Sequence, residues 1–133
     1  MNKFIATIID IHTHSSLNLI DLIYGDTRLT MNTLELPSSI QKGSKLEIGI
    51  KPFHIAIAKN LRGEISFSNR LETTIVEIEQ GELLSSIICK KDDNLFEVII
   101  TTKSLRRMAL ESSESVELLI KASELFITRF LDD

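Results

Sequence analysis

The chain has 133 residues, a net charge of −4, 43% hydrophobic and 26% charged residues, no Trp and one Tyr. The acidic balance and the shortage of aromatic platforms argue against direct nucleic-acid binding, which needs a clustered basic face. One cysteine, Cys89, excludes an intrachain disulfide and reads as a reduced core thiol, and no apolar run reaches the length of a membrane span.

Met1-Asn2-Lys3 runs straight into a strand pattern with no signal peptide, so the chain reads as cytoplasmic. Phe4 to Ile11 alternates and is rich in β-branched residues, which predicts a strand. His12 to Ser16 reads as a polar loop, Leu17 to Tyr24 as a second strand, and Gly25-Asp26 as a hairpin turn. Thr27 to Leu34 resumes extended structure until Pro37-Ser38-Ser39 breaks it. Leu46 to Ile50 is a strand, Pro52 marks an edge or a bend, and Ile55 to Ala58 is a last short strand. Asn60 to Gly63 reads as a linker. Leu71 to Ile78, Leu83 to Lys90 and Leu95 to Thr101 are predicted strands, with turns at Glu79 to Glu82 and Lys91 to Asn94. Leu105, Met108 and Ala109 fall on one face of a short helix within Thr102 to Leu110. Val116 to Ile120 and Leu125 to Ile127 complete the set, and Asp132-Asp133 reads as a solvated tail.

The plan is stated twice. Asn2 to Ile11 returns, with conservative changes, as Asn69 to Ile78, a shift of 67 residues. Ile48 to Ile57, containing Lys51, returns as Leu118 to Ile127, containing Lys121, a shift of 70 residues. A repeat this long is a duplicated small domain rather than a solenoid unit. The expected fold class is all-β: two tandem OB-like barrels, over residues 1–60 and 64–130, with at most one short helix each. A unit near 65 residues is marginal alone, so two units gain by packing together or exchanging strands.

Ser66-Phe67-Ser68-Asn69-Arg70-Leu71, Thr101-Thr102-Lys103-Ser104 and Ile120-Lys121-Ala122-Ser123 together resemble the Mop, or TOBE-type, oxyanion-binding domain. The likeness covers the whole chain as two tandem copies, the layout of the two-domain molbindins. The second copy departs from the pattern at Ser68 and Thr73, where the family has Arg and Gly. The first copy lacks the leading serine and reads Lys51-Pro52-Phe53 where the second reads Lys121-Ala122-Ser123.

The resemblance implies a site for molybdate or tungstate, a tetrahedral dianion with acceptor oxygens and no donors. Lys121 would bring charge, Ser66, Ser68, Asn69, Thr101, Ser104 and Ser123 polar side chains, and Phe67 and Ala122 backbone N–H groups. Lys51 is the weaker counterpart from the first copy. The resemblance further implies a site between subunits of a homo-oligomer, a trimer favoured over a dimer, and no redox cofactor. The expected function is cytoplasmic oxyanion storage, buffering or delivery. The alternatives are a ligand-sensing module acting on a partner protein, and an interaction domain that no longer binds anions.

Nothing in the chain suggests an enzyme, since no nucleophile–base or metal constellation stands out. His12 and His14 have no third ligand nearby in sequence and read as loop residues. Glu77, Glu79 and Glu82 read as a solvated face, and Arg106 and Arg107 as helix-surface charges. Absent any family likeness, Lys121 is a snorkelling edge lysine, Ser66 and Ser68 are turn formers, and Thr101 with Ser104 is a helix N-cap.

Overall fold

β1 (Asn2–His14) sets the frame, in a computed structural model that describes residues 1–131. Phe4, Ala6 and Ile8 point to the core, and a bulge between Ile8 and Asp10 then switches the alternation. Beyond it Asp10 stands opposite Asp21 and Ile11 opposite the buried Ile20. The strand runs through His14, so His12 and His14 are strand residues and not the loop predicted. Thr13 and half-buried Asn18 hold that end together, Thr13 Oγ1 donating to Asn18 Oδ1 at 2.7 Å.

β2 (Leu17–Tyr24) and β3 (Thr27–Thr33) form the predicted hairpin, with Gly25 at φ +60° supplying the left-handed turn residue. β4 (Lys45–Ile50) pairs with β1, and Pro52 then starts a 3₁₀ turn, Pro52–His54, before β5 (Ala56–Ala58). The second half repeats this: β6 (Asn69–Gln80), β7 (Leu84–Lys91), β8 (Asn94–Thr101), α1 (Thr102–Met108), β9 (Ser115–Ile120), a 3₁₀ turn at Ala122–Glu124, and β10 (Phe126–Leu131). Lys91, placed in a turn by the sequence reading, closes β7 and is buried, its Nζ 3.0 Å from Asp26 Oδ1. The Asp132-Asp133 tail lies outside the described residues.

The fold is all-β: among the described residues there are two curled five-stranded sheets with OB-like closure and one α-helix. Their strand orders are β10-β4-β1-β2-β3 and β5-β9-β6-β7-β8. Sheet membership therefore does not divide at the linker: β5 joins β9 of the second half, and β10 joins β4 of the first. Lys59, beside the linker, is held by Glu114 at 2.6 Å and donates to the Met108 carbonyl at 3.0 Å, closing the C-terminal end of α1.

Two asparagines lock the halves. Asn2 receives the Glu97 N–H and donates to the Glu97 carbonyl, both at 2.8 Å. Asn69 does the same to Thr30, at 2.6 and 3.0 Å. The two pairs are related by the same 67-residue shift, and each fastens an edge strand of one sheet (β8 or β3) to the central strand of the other (β1 or β6). Phe4, Tyr24 and Phe96 stack across the join at centroid distances of 4.5 to 6.3 Å, inside one apolar core built from both halves. No helix among the described residues is long and apolar enough to cross a membrane.

Candidate functional site

The register of β6 against β9 brings the opening and closing motifs of the second copy together. Asn69 is paired with Ile120, so Ser68 and Lys121 leave the same end of one strand pair. The inner ends of the two motifs thus lie side by side within one chain. Lys121 is extended (φ −70°, ψ 147°) and exposed, and its carbonyl accepts the Glu124 N–H at 3.0 Å. That bond makes the Ala122–Glu124 turn, and the Ala122 and Ser123 amides ahead of it have no partner within the turn. Small residues here leave room for an anion to reach the backbone. Ser66, Ser68 and Ser123 are exposed and Phe67 and Ala122 half-buried, so this end of the sheet offers hydroxyls, amides and an ammonium to solvent.

Asn69 differs from its neighbours. It is fully buried, and both ends of its side-chain amide are bound to Thr30. Its side chain is taken up by Thr30 rather than opening toward solvent. Arg70, next in the chain, is bidentate to Glu117 at 2.8 and 2.9 Å, so its charge is already matched.

Thr101 and Ser104 are placed elsewhere. They line a groove of about 390 Å³ with Phe53, Leu84, Arg107 and Met108, and none of Lys121, Ala122 or Ser123 contributes to it. The Pro52–His54 turn packs against β8, so this second cluster combines the first copy's Lys51 segment with the second copy's helix start. Thr101 is the N-cap: its Oγ1 accepts the Ser104 N–H at 3.1 Å and donates to Ser104 Oγ at 3.0 Å. Arg107 donates to Ser104 Oγ at 3.2 Å, a positive partner that the sequence reading left on the helix surface. In this cluster Pro52 has no N–H to offer and Phe53 stands where the second copy has Ser123, so the Lys51 side is poorer in donors.

One pair went unread in the sequence. His54 and Glu124 are equivalent in the repeat, yet they meet, His54 Nδ1 lying 2.7 Å from Glu124 Oε2. The pair joins the two 3₁₀ turns and occupies the carboxylate closest in sequence to the Lys121 segment. A free carboxylate there would repel an anion.

The architecture is that of an all-β protein built from OB-like units. No family profile matches the chain, and no curated protein matches it in sequence. Among solved structures it is similar to the cytoplasmic molybdate-binding protein ModG in a molybdate-bound crystal form. The TM-score is 0.87 over 95% of this chain and 94% of that one, at 19% sequence identity. That likeness establishes a shared fold over nearly the whole of both chains.

Proposed function

We propose that the protein binds a tetrahedral oxyanion of the molybdate class, molybdate or tungstate, and acts in the cytoplasm in storage, buffering or delivery without covalent chemistry. The observation that supports this reading is the Asn69–Ile120 register, from which Ser68 and Lys121 leave the same end of the β6–β9 pair. Glu117 is paired with the Arg70 guanidinium, and Glu124 is in contact with the His54 imidazole, so neither nearby carboxylate is left without a partner. The full-length likeness to ModG, described as a cytoplasmic molybdate-binding protein, supports the ligand class and the compartment.

On this reading Lys121 supplies the charge, Ser66, Ser68 and Ser123 the hydroxyls, and Phe67 and Ala122 the amides, while Asn69 is taken up by Thr30. Thr101, Ser104 and Lys51 belong to a second, weaker cluster. Each cluster is open on one side, which suits completion by another copy in a homo-oligomer, with a trimer as the favoured assembly. Isothermal titration with molybdate, tungstate, sulfate and phosphate tests the proposal. Heat is expected with the first two, and silence with both overturns it.

A further inference from the structure

The bulge in β1 has a chemical result on the opposite side of the sheet from the core. Because it switches the alternation, Asp10 and His12 both face outward and Asp10 stands directly across from Asp21. Two carboxylates directly opposite in an antiparallel pair repel. Here His12 stands beside both, its Nε2 3.4 Å from Asp10 Oδ2 and 3.3 Å from Asp21 Oδ2.

The other oxygen of each carboxylate is already held. Asp10 Oδ1 accepts the Ile11 N–H at 3.0 Å and lies 3.6 Å from Lys42 Nζ. Asp21 Oδ1 accepts the Thr30 hydroxyl at 3.2 Å. These outer contacts orient both groups so that the two Oδ2 atoms and the imidazole Nε2 converge, all three within 4.8 Å of one another. In a tetrahedral zinc site with bonds of about 2.0–2.1 Å, neighbouring ligand atoms stand about 3.3–3.4 Å apart. The two imidazole–carboxylate separations match that edge length.

We propose that Asp10, His12 and Asp21 form a three-ligand site for a divalent transition-metal cation of the zinc type, with its fourth position open to water. The set is mixed, one imidazole and two carboxylates, which suits zinc or cobalt better than a hard cation seeking six or more oxygens. It belongs to the first half alone. The equivalent residues in the second half are Glu77, Glu79 and Ile88, which cannot reproduce it, so one cation per chain is expected. The site is independent of the oxyanion reading.

The test is titration of the chelator-treated full chain with zinc by calorimetry, and with cobalt(II) by absorption. One zinc per chain and an intense tetrahedral cobalt band are expected. His12→Ala and Asp21→Asn should each weaken binding by at least about tenfold, while His14→Ala, two residues along the same strand, should leave it unchanged. Zinc should raise the Tm of the wild type and of His14→Ala but not of His12→Ala. Absent zinc binding, a weak octahedral cobalt spectrum, or undiminished binding by His12→Ala overturns the site.

Discussion

The ring of Phe126 lies over Gly49, occupying space that any side chain at residue 49 would need. A Cβ built on Gly49 would come within 2.9 Å of the ring and 2.7 Å of the Thr128 methyl. Phe126 is also the register partner of Gly49 across β10 and β4. The repeat-equivalent pair in the other sheet is inverted in size, with Ala56 opposite Leu119. Large meets small in both sheets, so each crossing strand fits the sheet it joins and misfits its own half.

Gly49→Leu is therefore expected to destabilise the fold by about 1–3 kcal/mol, the usual range for overpacking. Adding Phe126→Ala copies the Leu119–Ala56 pairing and should recover part of the loss, the Thr128 methyl still pressing on residue 49. Urea unfolding of the two single variants and the double variant measures the coupling. Strictly additive effects would show that the two sites do not interact.

Replacing Asn69 by Ala removes two hydrogen bonds and leaves the Thr30 N–H and carbonyl without their partner. A cost of about 1–3 kcal/mol for each buried group left unsatisfied is expected. Faster amide exchange at Thr30 should accompany it. Asn2→Ala should have the matching effect at Glu97.

Lys121→Ala should weaken oxyanion binding by roughly tenfold to a hundredfold, the equivalent of a charge-assisted hydrogen bond of about 1.5–3 kcal/mol. Lys51→Ala should matter less, because Pro52 and Phe53 leave that segment short of donors. Calorimetry on both variants makes the comparison; a larger loss at Lys51 would reverse the ranking of the two clusters.

Cys89 is fully buried, and burial pushes its thiol pKa up to about 11, while a hydrogen bond with Thr73 pulls the other way. The thiol should stay silent toward a disulfide reagent at pH 8 in the native protein and react stoichiometrically once urea unfolds it. Rapid native labelling would show that β6 and β7 open easily.

Arg70 holds the Glu117 carboxyl below the ordinary carboxylate range, and Lys59 does the same for Glu114. A carboxyl whose pKa falls on folding adds stability above its unfolded value. That contribution disappears as the pH drops through the folded value. Stability should therefore decline on acidification from the ordinary carboxylate range downward. Both pairs are partly solvated, so each is expected to contribute only about 0.2–1 kcal/mol, and less in high salt. Thermal melts of Lys59→Met and Arg70→Met from pH 7 to pH 3 should show shallower acid slopes than the wild type.

Strand content was legible because β-branched alternation and turn residues such as Gly25-Asp26 act locally. The repeat also led the reading to paired small barrels. Sheet membership was not legible, because β5 and β10 carry no local mark of which β4 or β9 they join. That choice rests on the Gly49–Phe126 and Leu119–Ala56 fits, which are long-range. The adjacency of Ser68 and Lys121 within one chain rests on the β6–β9 register, which the motifs alone did not give. The displacement of Thr101 and Ser104 to a groove beside Phe53 was not legible either, because it depends on which half's turn packs against β8. The Asp10–His12–Asp21 cluster was hidden by the bulge, which re-aims Asp10 and His12 only once Ile9 is extruded from the ladder.

The crossing of β5 and β10 has a covalent consequence. Cutting the backbone near Gly63 would leave two fragments, each lacking a strand that its sibling carries, so neither could seal its own sheet. Mixed together, they would restore both sheets by mutual donation, which means that the tether sets local stoichiometry while the interlock itself resides in the β-strands.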